Sequence, residues 1–169
     1  MDLSTREFWA LIHGLILGGL FLVAFAGALA GLYSLRSELV TPEGIRERTR
    51  RLTIGMTTMA TVAWLTVITG TWIVYPWYRE DIPDSPRSQL LADPNLADWH
   101  EFAMEWKEHI AWIAPLLATV AAFIVLYYRA ELIRNRTARL LAIWLFVAAF
   151  AIAAVAGILG ALITKNASV

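Results

Sequence analysis

Three histidines are the residues of this 169-residue chain best suited to ligand chemistry, and it has no cysteine at all. His13 stands near the start of one long apolar run, and His109 stands at the start of another. A neutral imidazole is a common axial ligand of haem iron, so two at one depth in a membrane can hold one haem b between them. Arg6 and Lys107, one or two turns further out, are placed to pair with haem propionates, and Trp9 and Trp112, one turn from each histidine, to flank the macrocycle. The sequence therefore offers His13 and His109 as iron ligands, with Arg6, Lys107, Trp9 and Trp112 around them. The competing reading is two ordinary interfacial histidines, because Glu105, Lys107 and Glu108 bracket His109 while Arg6 and Glu7 precede His13. His100 is expected in an exposed first turn, rotated away from His109. Glu101, Glu105 and His109 share a helix face, but their Glu-x-x-x-His spacing and the lack of carboxylates in the other spans speak against a di-metal centre. That acidic cluster reads as a solvated face or a surface attracting a basic partner, and beside a quinone site one of its carboxylates would accept a quinol proton.

The histidines are linked by a repeat. Ile45-Arg46-Glu47-Arg48-Thr49-Arg50-Arg51-Leu52 returns as Ile133-Arg134-Asn135-Arg136-Thr137-Ala138-Arg139-Leu140, six of eight positions being identical. His13 lies 20 residues before Tyr33, and His109 lies 18 before its counterpart Tyr127. At 1.5 Å per residue the two depths differ by about 3 Å. A duplicated hairpin would place the first and third helices parallel, around a pseudo-two-fold axis along the membrane normal.

The elements that position these residues are four apolar blocks, about 8–35, 52–75, 110–128 and 140–164, none containing an acid, lysine or arginine. The chain is 59% hydrophobic, with a mean hydropathy of +0.59. Each block approaches or exceeds the roughly 20 residues of a membrane-crossing helix, and none alternates like a barrel strand. The expected fold is an all-α membrane four-helix bundle of two tandem hairpins in one domain, 1–169, with spans at about 6–35, 51–77, 104–130 and 138–164. Asp98 followed by Glu101 signals a helix start, so the third helix should begin near 98 and stand above the membrane, with Pro115 kinking it beyond His109. The 79–97 connection, with Pro83, Pro86 and Pro94, reads as an extended surface segment without a core. Gly14, Gly18, Gly27 and Gly31, with Ala149, Ala153, Gly157, Gly160 and Ala161, are expected at close helix contacts, although Gly14 and Gly18 would also leave room for a flat cofactor.

Charge sets orientation. The loops 36–51 and 129–139 hold nine arginines and four acids, whereas the N-terminus, the 76–109 connection and the C-terminus hold five cations and ten acids. Basic short loops mark the cytoplasmic side, so both termini and the long connection are expected outside, in a bacterial inner membrane. Topology accounts for the arginines without nucleic acid.

In architecture the chain resembles the four-helix, b-haem membrane subunits that connect redox enzymes to quinones or to external electron carriers. That resemblance implies a small, non-catalytic subunit of a respiratory or photosynthetic electron-transfer complex. It also implies haem b, other membrane subunits as partners, and a quinone or an external cytochrome or cupredoxin nearby. A cofactor-free assembly subunit is the alternative, and a small transporter is a third reading that the apolar midplane disfavours.

Overall fold

The structure is a computed structural model that describes residues 3–35 and 41–167. The start of the first basic loop, residues 36–40, lies outside them. The described residues contain no strand, and four helices are long and apolar enough to cross a membrane. These are α1 (Thr5–Ser34), α2 (Glu43–Tyr78), α4 (Trp99–Ile133) and α5 (Arg136–Asn166). A short helix, α3 (Pro86–Ala92), lies in the connection between α2 and α4.

Neighbours in sequence are neighbours in space: α1 packs on α2, α2 on α4 and α4 on α5. The ring closes where Phe21 and Phe25 of α1 stack on Phe146 and Phe150 of α5, with centroids 3.9 Å apart for Phe25–Phe150 and 5.2 Å for Phe25–Phe146. Leu32, Met56, Met59, Ala118, Ala121, Val125, Ala142 and Ala149 complete a fully buried centre. Lipid gives apolar side chains no solvent reason to associate, so close packing must hold such helices together. Gly55 supplies one such approach, since a Cβ there would stand 3.2 Å from the Ala28 Cβ. Gly31 supplies another, against Leu52 at 3.3 Å. Gly14, Gly18, Gly27 and Gly157 have no neighbour within 4 Å of the Cβ position, so these glycines do not make the close contacts expected of them.

Helix ends follow local chemistry. Ser4 and Glu7 form a reciprocal capping box before α1, Thr41 caps α2 at Gly44 N (3.2 Å), and Asn135 caps α5 at Ala138 N (3.0 Å). At the opposite ends arginines satisfy orphan carbonyls: Arg48 donates to Ser34 O (2.9 Å), and Arg139 to Leu132 O (2.8 Å) and Ile133 O (3.1 Å). These arginines are not counterparts in the repeat, because the two copies sit differently. Ile45 follows the α2 cap Thr41, whereas Ile133 precedes the α5 cap Asn135. The first copy is thus helical throughout, and α2 starts well before the expected residue 51.

α4 begins near 98 as the acidic signal suggests, but Asp98 is itself in helical conformation and its side chain makes no cap hydrogen bond. The α-helix breaks at Trp112, three residues before Pro115, where the proline ring conflicts with the backbone of the preceding turn. The 79–97 connection is not coreless. Ser85 caps α3, and Leu90 is fully buried in a small cluster with Tyr78, Met104 and Ile163. The start of α1, the end of α2, the start of α4 and the end of α5 meet at this end, here called the terminal end.

Candidate functional site

Among the described residues three π-helical turns interrupt the spans, at Leu11–Ile16, Gly70–Val74 and Trp99–Met104, all toward the terminal end. A π turn inserts one residue into the helical ladder and is frequent at functional sites. The first contains His13, the second begins at Gly70 beside it, and the third contains His100.

His13 is half-buried and faces α2. Its Nδ1 lies 3.1 Å from Thr69 Oγ1, whose own proton goes to the Leu65 carbonyl at 2.8 Å. The hydroxyl is therefore the acceptor, Nδ1 carries the proton, and Nε2 is left with a lone pair. The imidazole rests on Gly70, where a Cβ would fall 2.8 Å from Cε1, so any larger residue must displace the ring. The Lys107 ammonium, on α4, is near enough for its charge to act on His13. The Lys107 chain reaches the neighbouring α5, with its Cε 3.2 Å from the Cβ position of Gly160.

Glu108 joins α4 to the end of α2. Its Oε2 accepts the Tyr75 hydroxyl at 2.8 Å, and Arg79 donates to the same Tyr75 oxygen at 2.6 Å while lying over the ring, 5.4 Å from its centroid. The other carboxylate oxygen, Oε1, is buried and has no hydrogen-bond partner among the described residues. A few steps along, the Tyr78 ring lies parallel to Tyr75, and its hydroxyl meets His100 Nδ1 at 2.9 Å. Arg87 donates to His100 Nε2 at 3.3 Å. Since a guanidinium only donates, Nε2 is the acceptor and the His100 proton sits on Nδ1, directed at the Tyr78 oxygen. His100 is only 6% exposed, which overturns its expected placement on the surface. The reason is the connection, whose α3 folds over the start of α4 and closes off the imidazole.

His109 points the other way. It is exposed, and its Nδ1 donates to the Glu105 carbonyl at 2.6 Å, leaving Nε2 open. Two residues separate it from Lys107, a rotation of roughly 200°. Lys107 faces into the bundle, so His109 faces out, along a shallow groove with Glu101, Phe102, Glu105 and Trp106.

The structure does not bring the expected set together. His13 and Lys107 share the interior, His109 lies on the opposite side of α4, and Arg6 is ion-paired with Glu80. Trp9 meets Phe8 edge-on, while Trp112 packs between Trp64 and Trp72 of α2, with centroids 6.2 Å and 5.9 Å away. His13 and His109 each have an anchored Nδ1–H and an open Nε2, the state in which imidazole ligates iron. As a pair, in this arrangement, they do not fit one haem between them.

Tyr75, Arg79, Thr69, Gly70 and Arg87 are absent from the sequence-derived set. Only the Tyr75–Arg79 spacing of four residues hinted at a contact. Comparison with family models, curated proteins and solved structures gives no match to this chain.

Proposed function

We propose that the chain is a small, non-catalytic integral-membrane subunit of a larger electron-transfer complex, working at its terminal end, which faces outward in a bacterial inner membrane. The observation that carries this reading is the confinement of every acid, lysine and histidine of the spans to their ends, with an uncharged stretch between. Intramembrane hydroxyls such as Thr66 and Thr119 are tied to carbonyls of their own helices, at 2.8 and 2.7 Å, and build no polar path. That arrangement supports action at one face rather than transport across the bilayer. Its contact strip is Glu101, Phe102, Glu105, Trp106 and His109, with Phe102 64% and Trp106 53% exposed beside acids. Acids and aromatics together suit a basic, partly apolar partner, such as a neighbouring subunit or a small electron carrier. Behind the strip the Glu108–Tyr75–Arg79 network braces α4 against α2. The test is site-specific photocrosslinking from position 106 in native membranes.

Haem b is a second reading, favoured by the open Nε2 of His109. His109 would present itself to a haem whose other axial ligand comes from a partner chain. The purified chain is then expected to show no reduced b-type α band, while the intact complex shows one that His109→Ala removes and His13→Ala leaves. A band in the isolated chain that both substitutions abolish would instead establish a haem shared by His13 and His109. The tandem-hairpin pseudo-symmetry belongs to the same proposal: α1 with α2 and α4 with α5 form its two hairpins.

A further inference from the structure

At the arginine-bearing end, opposite the terminal end, α2 and α4 enclose a groove that the reading above leaves without a role. Arg46, Thr49 and Arg50 of α2 line one side, and Arg129 and Leu126 of α4 line the other. Among the described residues Arg46 and Arg50 make no ion pair or hydrogen bond. This sets them apart from Arg48, Arg51 and Arg139, which bind a carbonyl, a carboxylate and two carbonyls. Arg129 uses only Nε, on Leu126 O at 3.3 Å, so its two terminal nitrogens are open among the described residues.

Two further features mark the same place. The Thr49 hydroxyl is buried without a hydrogen-bond partner among the described residues. Thr66, Thr69, Thr119 and Thr164 give their protons to the carbonyl four residues back, and among the described threonines only Thr49 has a hydroxyl both buried and without a partner. Arg129 sits at φ 45°, ψ −123°, the only described non-glycine residue with positive φ. Such a backbone is disfavoured for any residue with a Cβ and tends to persist where a site needs it. Here it ends the α-helical part of α4 and keeps Arg129 beside the arginines of α2.

We infer that this groove binds the phosphodiester of an anionic phospholipid, with Arg46, Arg50 and Arg129 around the phosphate and the Thr49 hydroxyl donating from the floor. Three guanidiniums without acid partners more than offset the single negative charge of a phosphodiester, and their planar N–H forks suit its two unesterified oxygens. The walls continue into Ile54 and Leu126, exposed apolar residues against which an acyl chain can lie. A lipid supplies both the phosphate and the chain, whereas a free anion uses only the upper half. In the second copy of the repeat Ala138 stands where Arg50 does and is packed in the core, so one site per chain is expected.

Native mass spectrometry of the full chain in detergent, with phosphatidylglycerol, phosphatidylcholine or inorganic phosphate added, tests this. One phosphatidylglycerol is expected to be retained in preference to phosphatidylcholine. Arg46→Gln and Arg50→Gln should each weaken its retention about fivefold. Thr49→Val, which keeps the side-chain shape, should weaken it as well, and Arg136→Gln, outside the groove, should not. Far-UV circular dichroism confirms that each variant is folded, and Thr49→Val carries the test should an arginine variant not fold. Equal retention of the two lipids overturns the proposal, as does an Arg136→Gln effect as large as that of Arg50→Gln. Displacement of phosphatidylglycerol by an equal concentration of inorganic phosphate shows an anion site rather than a lipid site and overturns it too.

Discussion

Phe146→Ala is expected to destabilise the bundle by about 3–5 kcal/mol, the usual cost of truncating a buried phenylalanine. Phe146 is fully buried and stacks on Phe25 across the one seam where first and last helices meet. Lipid supplies no hydrophobic drive to close that seam, so the rings hold it by contact alone. Phe146→Leu refills part of the volume and should cost about 1 kcal/mol. Unfolding in mixed micelles of rising SDS fraction, followed by circular dichroism, measures both. A loss for Phe146→Ala no larger than that for Phe146→Leu would show that the seam is held by something other than these rings.

The second large effect concerns the braced end. Glu108→Leu removes the acceptor of the Tyr75 hydroxyl and the negative charge beside Lys107, leaving polar groups stranded at the helix interface. The expected loss is about 1–3 kcal/mol. Glu108→Gln keeps an oxygen for Tyr75 and should cost less than Glu108→Leu. If the network acts as a unit, Tyr75→Phe added to Glu108→Leu should cost little more, because the stranded hydroxyl has gone with its acceptor. The same micelle titration reads this. Additive losses in the double variant would show that Glu108 and Tyr75 do not depend on each other.

Four spans were legible in the sequence because a bilayer demands long uncharged helical runs and little else. Their faces were not. Small residues alone do not say which side of a helix meets a neighbour, and so Gly14, Gly18 and Gly27 were assigned to contacts while Gly55 and Gly70 make them. Tyr33 and Tyr127, from which the depths of the histidines are counted, are each the penultimate residue of an α-helical segment. Depth leaves rotation about the axis undetermined, and π turns change the face on which every earlier residue lies. Two residues of rotation separate the inward Lys107 from the outward His109, a difference no composition count detects. His100 was misplaced for another reason. The prolines of the connection read as breakers, yet Pro86 starts a helix whose Leu90 is buried and which covers the imidazole. Thr49 illustrates a third limit, since only coordinates reveal which threonine hydroxyl is buried without a partner.

The central claim is that the chain meets its partner at the terminal end, along the outward strip of α4. A photocrosslinking residue at position 106, compared in native membranes with one at position 144 of α5, where Trp144 is 69% exposed on an apolar face, tests it directly. A discrete protein adduct is expected from position 106, weakened when Glu101 and Glu105 are both replaced by glutamine, and only lipid adducts from position 144. Protein adducts from position 144 with none from position 106 would contradict it.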